Sequence, residues 1–396
     1  MLSTALEGIR ILDLTRVLAG PYCSMILGDL GAEIIKVEAP GGSDETRTWG
    51  PPFKGNVSAY YLCANRNKKS LTVNLKTNEG KEIIEKLVQK SDVILNNFKT
   101  GTMERLGLGY DHLKELNPDL IYCSITGFGE SGPYRHLPGY DFIIQAMSGL
   151  MSITGDEQSG PQKLGVAITD ILTGLYACIG IQAALLERSL SGEGQKIDLS
   201  LYDSAVSALV NIGSNFLVTG NAPARLGNSH ANIVPYQTFQ SKDGEMVIAV
   251  GNDRQFTHLC HILGQPSLAR DGRFSTNAQR VENRDELTKI LQKLFLTKET
   301  AYWKEQCRQK QIPFGPIQSL EEVRKDPQLH ARRMFISCPH PKEGQVEMIG
   351  SPLNLSRTPV ALQHHPPEAG EHTEGILRDL GYDEKTIHQW RLQKKI

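Results

Sequence analysis

The chain has 396 residues, more than one hydrophobic core ordinarily holds, and this length predicts two domains. Its 43 Lys and Arg against 44 Asp and Glu give a formal net charge of −1, which excludes a global positive field for nucleic acid or an anionic membrane. Apolar residues make up 39% of the chain, and no unbroken apolar run approaches the ~20 residues that span a bilayer. We therefore expect neither a nucleic-acid partner nor a membrane span.

The seven cysteines show no CxxC pair and no zinc-like spacing, and several lie within apolar segments. They predict reduced core thiols in a cytosol-like compartment and no metal site. The opening MLSTALEGIRILDL has neither a signal-peptide core nor an Arg-rich presequence. We expect a cytoplasmic protein, or a protein of the mitochondrial matrix if a presequence has been removed.

Short apolar strands alternate with helical patterns through the first two hundred residues. This alternation is typical of an α/β fold in which helices cover a parallel sheet. The helix predicted from Asn78 to Lys90 carries apolar residues on one face only, so it should pack one side on the sheet. The predicted strands are Ile9 to Leu14, Glu33 to Glu38, Ser70 to Leu75, Asp92 to Phe98 and Leu120 to Thr126.

The segment from Gly165 to Leu190 is apolar on nearly all sides, which predicts a helix buried within the first domain. Near Gly220 the chain becomes rich in Gly, Asn and Pro, and we place a domain boundary there. A hairpin turning at residues 242–244 and helices over 254–263 and 284–309 then predict a small α+β domain. Two strands and two short helices are predicted in the tail. The predicted divisions are 1–220, 221–325 and 326–396.

The stretch from Gly127 to Gly132 matches GxGxxG and follows a predicted strand. A dinucleotide site of that type requires a helix to begin at the glycines, so that its N-terminus can bind the pyrophosphate. Here Pro133 and Pro138 follow closely and predict a loop. We therefore reject a nicotinamide-binding site.

Asp170 lies near the start of the apolar helix, between Ile168 and Ile171. One interpretation is a helix N-cap, since Asp is favoured there. The other is a carboxylate made nucleophilic by partial burial and held by helix-terminal N–H groups. Spacing alone does not choose between them.

Seven ordered motifs over nearly the whole chain resemble the class III CoA-transferases (CaiB/BaiF type). They are LEGIRILDLT with AGPYCSMILGDLGAEIIKVEAPGGSD, NRNKKSLTVNLK, DVILNNF with MERLGLGY, SITGFGESGP, GYDFIIQAMSGL, GVAITDILTGLYA and GEHTEGILRDLGY. The resemblance implies a Rossmann-like large domain built from both ends of the chain, an inserted small α+β domain and an interlocked homodimer. It implies no tightly bound cofactor, with coenzyme A acting as a substrate beside carboxylic acids.

In enzymes that look like this chain, the Asp that matches Asp170 is the nucleophile. It would exchange one thioester for another through a mixed anhydride and an aspartyl-CoA thioester. The family's racemases carry His where this chain has Tyr140, and a phenol is a poor proton shuttle at neutral pH. Tyr140 and Asp141 are further catalytic candidates, although Asp141 could equally cap the following helix. The alternatives are a 2-methylacyl-CoA racemase and a catalytically silent CoA-binding protein.

The same resemblance implies where the substrates bind. CoA phosphates favour helix N-termini and Lys or Arg clusters, and the implied contacts are Leu18, Ala19, Val73, Asn74, Leu75, Lys76, Asn97, Phe98, Lys99 and Arg105. Formyl-CoA transferases carry Gln and Arg where this chain has Leu18 and Ala39, which argues against formate or oxalate. The segments VEAPGGSDETRTWGPPF, GLMSITG and SHANIVPYQTF resemble the subgroup that transfers CoA from succinyl-CoA to glutarate. A dicarboxylate needs a cationic anchor, and the candidates are Arg47, Arg225 and His230.

Overall fold

The structure is a computed structural model that describes residues 4–396. The strands are β1 Arg10–Asp13, β2 Glu33–Glu38, β3 Phe53–Lys54, β4 Val57–Ser58, β5 Lys68–Thr72, β6 Val93–Asn96, β7 Ile121–Thr126, β8 Lys196–Ser200, β9 Tyr236–Gln240, β10 Glu245–Ala249, β11 Phe314–Pro316, β12 Phe335–His340 and β13 Gly344–Ile349. The helices are α1 Ala19–Asp29, α2 Ala59–Leu62, α3 Asn78–Val88, α4 Thr102–Arg105, α5 Tyr110–Leu116, α6 Asp141–Met147, α7 Leu150–Ile153, α8 Ile168–Ser191, α9 Leu201–Ser207, α10 Val210–Thr219, α11 Asp253–Ile262, α12 Asn277–Glu282, α13 Arg284–Phe295, α14 Thr300–Gln309, α15 Leu320–Lys325, α16 Pro327–Ala331, α17 Thr373–Asp379 and α18 Glu384–Leu392.

The chain forms two compact units. The first contains residues 4–150, 164–208 and 327–396, and the second contains residues 151–163 and 209–326. The division differs from the predicted boundary after residue 220, because α10 and the segment 151–163 belong to the second unit. The change in composition that suggested residue 220 begins only where α10 ends.

A six-stranded parallel sheet forms the centre of the first unit, in the order β5-β2-β1-β6-β7-β8. Side chains alternate between its two faces, so Leu12 faces one apolar core and the adjacent Ile11 faces the other. The predicted parallel sheet is confirmed. The sequence analysis missed strand β8 because its sequence, KIDLS, mixes charged and apolar residues.

The strand order reverses direction between β1 and β6. Connections from β1 run toward β2 and β5 on one side, and connections from β6 run toward β7 and β8 on the other. In open parallel sheets of this Rossmann-like order, a crevice opens at the carboxyl ends of the two strands that flank the reversal, and ligands bind there. The fold therefore predicts a ligand site among the residues that follow β1 and β6.

Helix α8 was predicted to be buried within the first domain, and the chain buries only one side of it. Its buried residues, among them Thr173, Ala177 and Ile181, form one stripe that packs on α1 and the sheet. The opposite side is open, with Ile179 61% exposed and Leu190 85% exposed. The helix is also long and apolar enough to cross a membrane by length and composition, although no uninterrupted apolar run stood out in the sequence. Core helices of soluble proteins pass the same test of length and composition, and 39% of this apolar window is buried within the chain.

The second unit contains an antiparallel sheet, β11-β10-β9, covered by helices. The predicted hairpin turning at residues 242–244 is confirmed as β9 and β10. The helical pattern predicted over 284–309 forms two helices, because α13 ends at Phe295 and α14 begins at Thr300. The indole of Trp303 donates to the Phe295 carbonyl over 2.8 Å, which satisfies a carbonyl that the helix end leaves open.

Residues 327–396, the tail of the chain, belong to the first unit. Its strands β12 and β13 pair with each other, and α17 packs against the edge strand β5. The Thr72 N–H donates to the Thr373 hydroxyl over 2.9 Å, and the Asn74 N–H donates to the Lys395 carbonyl over 2.8 Å. These bonds satisfy backbone groups at and beyond the end of β5.

Candidate active site

A cavity of about 340 Å³ opens in the first unit at the carboxyl ends of β1, β6 and β7. It lies at the strand-order reversal, where the fold predicts a ligand site. Its walls are Arg16, Val17, Ala19, Glu45, Asn97, Phe98, Lys99, Thr100, Arg105, Ile125, Thr126, Gly127, Arg135, His136, Leu137, Pro138, Gly139, Tyr140, Asp170 and Leu201.

Asp170 lines this cavity from the first turn of α8. The capping interpretation is wrong, because the N-cap position is Ala167 and Asp170 lies three residues inside the helix. Asp141 caps the N-terminus of α8 instead, because its Oδ1 accepts from the Thr169 N–H and from the Thr169 hydroxyl, both over 2.8 Å. The Asp170 carboxyl is therefore not occupied in holding the helix end.

Burial, and after it the nearby charge of Asp141, raise the pKa of Asp170 to about 7. A hydrogen bond from the Ala19 backbone N–H acts against both effects. A carboxyl group with this pKa is a stronger base and nucleophile than an exposed one, and its anionic form is still available at neutral pH. Such a shift within a cavity is typical of a catalytic group.

Asp141 connects three segments around the site. Its second oxygen accepts from the Gln145 side chain over 2.7 Å, and the Gln145 side-chain oxygen accepts from the Leu164 N–H over 2.9 Å. Asp141 is not among the residues that line the cavity. Its bonds to Thr169 orient the first turn of α8 from outside the cavity wall. Tyr140 precedes Asp141 at the N-cap of α6, lines the cavity and is 61% exposed.

Five of the ten CoA contacts implied by resemblance line the cavity, namely Ala19, Asn97, Phe98, Lys99 and Arg105. Lys99 and Arg105 supply positive charge, and the Arg105 guanidinium is positioned by a 2.8 Å bond to the Thr102 hydroxyl. The Asn97 amide is committed to the backbone of Arg16, accepting from its N–H over 3.0 Å and donating to its carbonyl over 2.7 Å. The loop after β6 thus presents cations to the cavity and holds the loop after β1.

The other five implied contacts do not line the cavity. Leu18 is buried at the N-cap of α1, and Val73 is fully buried in the core with Leu75 packed against it. Asn74 and Lys76 follow β5, which lies at the sheet edge with β2 and β1 between it and β6. This separation explains why the cavity walls do not include them.

Arg47 was a candidate anchor for the far carboxylate of a substrate, and its surroundings argue against that role. Its guanidinium donates to both oxygens of Glu38, to the Tyr61 hydroxyl over 2.7 Å and to the Pro367 carbonyl over 3.1 Å. It also stacks 3.9 Å from the centre of the Tyr61 ring. These bonds leave it little capacity for a ligand.

Arg225 and His230 belong to the second unit. The Arg225 guanidinium makes only long bonds there, to the Asp156 and Ser152 carbonyls over 3.4 and 3.5 Å. The His230 ring packs against Tyr236 and accepts from the Asn232 N–H over 3.0 Å. His230 is thus held within a structured loop of that unit.

The cavity also contains polar residues that the sequence analysis missed, among them Arg16, Thr100, Arg135 and His136. The Arg16 Nε and the Thr100 hydroxyl are buried and have no hydrogen-bond partner within residues 4–396. Both residues lie in the segments that follow β1 and β6, the strands beside the reversal of strand order. That position was the available signal.

The GxGxxG stretch is a loop that contributes Gly127 to the cavity wall and does not form a dinucleotide site. Residues 127–140 contain turns and bends, and the next helix is α6, which confirms the predicted loop. Gly127 lies against Gly139 so closely that an added Cβ would stand 2.7 Å from the Gly139 Cα.

Within residues 4–396, no group of three or more His, Cys, Asp or Glu side chains is placed to bind a metal ion.

Comparison with known proteins places these features in a family. The model of CoA-transferase family III matches residues 6–373. The succinyl-CoA:glutarate CoA-transferase of Mus musculus is 46% identical over 385 residues, covering 97% of this chain and 88% of the mouse protein. The succinate–glutarate CoA-transferase of Agrobacterium fabrum is 44% identical over 392 residues, covering 96% of this chain and 97% of that protein.

Comparison with solved structures gives the same family. A CaiB/BaiF family protein from Brucella suis superposes with a TM-score of 0.84 at 44% identity, covering 96% of this chain and all of that chain. The chain therefore belongs to CoA-transferase family III.

Proposed function

We propose that this CoA-transferase moves CoA from succinyl-CoA to a dicarboxylate such as glutarate, with Asp170 as the covalent nucleophile. The observation that carries the proposal is the Asp170 carboxyl itself, which lines a cation-walled cavity and has a pKa raised to about 7 by burial and by Asp141. The names of the relatives described above support the choice of acids.

The reaction needs no group beyond the carboxylate and the two substrates. The Asp170 carboxylate attacks the thioester carbonyl and expels CoA thiolate, which leaves a mixed anhydride. The thiolate then attacks the Asp170 carbonyl, releasing succinate and leaving an aspartyl-CoA thioester. The acceptor carboxylate attacks this thioester, a second anhydride forms, and the thiolate attacks its acceptor carbonyl to give the new acyl-CoA and free Asp170.

The Ala19 N–H, which bonds to the Asp170 carboxyl, is placed to stabilise the negative charge that develops on the Asp170 oxygen when thiolate attacks its carbonyl. Lys99 and Arg105 are placed to bind the CoA phosphates. Leu18, Val73, Asn74, Leu75 and Lys76 lie outside the cavity walls, and we do not assign them contacts with CoA. Arg225 and His230 stay proposed contacts for the far carboxylate, on the resemblance alone.

We also propose that the enzyme acts as a homodimer, interlocked as the resemblance implies. The open apolar side of α8, with Leu186 70% exposed in addition to Ile179 and Leu190, supports burial against a second copy. Light scattering after gel filtration should give twice the 43.8 kDa chain mass. We place the enzyme in a reducing, cytosol-like compartment, since all seven cysteines are free thiols.

The test is chromatography of acyl-CoA species after incubation with succinyl-CoA and a panel of mono- and dicarboxylic acids, without ATP. We expect glutaryl-CoA to form, and we expect D170N to abolish it. A protein that binds succinyl-CoA but forms no new thioester with any acid would support the silent CoA-binding alternative. Exchange of the α-proton of 2-methylacyl-CoA with deuterated water would support the racemase.

A further inference from the structure

The loop from Thr15 to Ala19, which we call the β1–α1 turn, forms one wall of the cavity and has an unfavourable backbone. Val17 has φ = +70°, a left-handed conformation that β-branched residues rarely adopt. Arg16, Val17 and Ala19 all line the cavity. Such a conformation persists only where surrounding contacts enforce it, and it is frequent in functional sites.

Hydrogen bonds fix this turn residue by residue. The Thr15 N–H donates to Asp13 Oδ1 over 2.9 Å, and the Thr15 carbonyl accepts from Lys36 Nζ over 3.0 Å. The Val17 N–H donates to Asp44 Oδ1 over 3.2 Å. The side chain of Asn97 bonds to the N–H and the carbonyl of Arg16. The backbones of Thr15, Arg16 and Val17 are thus all bonded to side chains from outside the turn.

The side chains that hold the turn are buried charges with no other assigned function. Lys36 and Asp44 form a 2.8 Å ion pair with both side chains 0% exposed, and Lys68 pairs with Asp13 over 3.3 Å, again fully buried. Burial opposes ionisation of Asp44, but Lys36 outweighs it and the pKa of Asp44 is lowered. Removing one partner of such a pair leaves the other charge unpaired. The ion pair therefore fixes both of its members, and with them the turn.

The turn leads directly into the groups around Asp170. Its last residue, Ala19, begins α1 and donates the backbone hydrogen bond to Asp170. The Ala19 carbonyl lies against α8 so closely that a Cβ on Gly174 would stand 2.7 Å from it. A change in the turn is thus transmitted to the donor that faces the nucleophile.

We propose that Lys36 and Asp44 are positioning residues, which hold the β1–α1 turn so that the Ala19 N–H points at the Asp170 carboxyl. This inference rests on the proposed function, because it requires the Ala19 N–H to stabilise negative charge on the Asp170 oxygen during covalent transfer. It also gives the IKVEAPGGSD segment, singled out in the sequence, a role distinct from contact with CoA.

The first test needs no activity. Hydrogen exchange of the amides over residues 15–23 is compared in the full chain, in D44N, and in K36Q as a milder second variant. We expect exchange about tenfold faster in both variants, the scale of one lost hydrogen bond to a charged group. The matched control is R66M, which breaks the buried Arg66–Asp29 pair of 2.6 Å at the other end of α1. Equal exchange in all variants would overturn the inference.

The second test separates positioning from general destabilisation. For D44N and K36Q we expect kcat to fall by about tenfold or more with KM for succinyl-CoA changed less than twofold, since one oxyanion donor is misplaced. R66M should retain its kcat per folded molecule. Because glycine adopts φ = +70° freely, V17G should restore part of the lost kcat in the D44N background. Unchanged kcat despite faster exchange would overturn the inference, whereas absence of transfer by the unsubstituted protein would overturn the proposed function and leave the exchange result standing.

Discussion

Replacing Asp170 with Asn should stabilise the protein, and the gain should grow with pH. The pKa of Asp170 rises from 3.8 to about 7 in the folded protein. A raised folded pKa means that the contribution of this group to stability is fully present below pH ~4 and is lost as pH rises through about 7. At about 1.4 kcal/mol for each pKa unit, ionisation of Asp170 destabilises the folded protein by up to about 4 kcal/mol at pH 8. Because the side chain is partly exposed, this figure is an upper bound.

The assay is denaturant unfolding of the wild type and D170N at pH 5, 6, 7 and 8, followed by tryptophan fluorescence, to which Trp49 and Trp390 of the first unit and Trp303 of the second contribute. The advantage of D170N should be about 1.5 kcal/mol at pH 5, grow steadily to pH 7 and change little between pH 7 and pH 8. D383N is the control, because hydrogen bonds from Thr386 lower the pKa of Asp383, so this carboxyl stays ionised from pH 5 to pH 8 and the effect of its replacement should not vary with pH. A gain from D170N that is constant with pH, or larger at pH 5, would refute the electrostatic reasoning.

Three further substitutions test the surroundings of the nucleophile. G174A should destabilise the protein by about 1–3 kcal/mol in thermal unfolding, because its Cβ would stand 2.7 Å from a carbonyl oxygen. G180A in the same helix meets nothing nearer than 3.6 Å and should gain about 0.5–1 kcal/mol instead, so equal effects would contradict the packing argument. D141N keeps an acceptor for the α8 N-terminus but removes the charge that raises the Asp170 pKa, so the acidic limb of the kcat/KM profile should move to lower pH; a shift to higher pH would contradict this. R105A should raise KM for succinyl-CoA about tenfold with little change in kcat, and the exposed control K90A should change neither; a loss of kcat alone would contradict a binding role.

Local sequence patterns predicted the parallel sheet and placed a reactive carboxyl near the start of a helix. Strand positions follow from short apolar runs, and β2 lies where it was predicted. Asp170 was left between two roles because spacing along one helix cannot reveal that Asp141, 29 residues earlier, already caps that helix. The residue that resolved the ambiguity comes from another element.

Long-range partners explain the other differences. Arg47 could be read as a free cation until folding placed the Glu38 carboxylate and the Tyr61 hydroxyl around it. The apolar residues on nearly all sides of α8 predicted a helix buried within the domain, but periodicity reports which faces are apolar and not what covers them. The buried pair of Lys36 and Asp44 reads in the sequence as two ordinary surface charges, and only the structure shows both at 0% exposure.

The central claim is that CoA becomes covalently attached to Asp170, and mass spectrometry tests it most directly. The protein is mixed with succinyl-CoA, quenched in acid and digested, and the peptide containing Asp170 is weighed. The account predicts a mass increase of one CoA less one water on that peptide, its loss when glutarate is added, and no increase in D170N. Rapid formation of glutaryl-CoA with no adduct at Asp170, or at an undiminished rate in D170N, would contradict it.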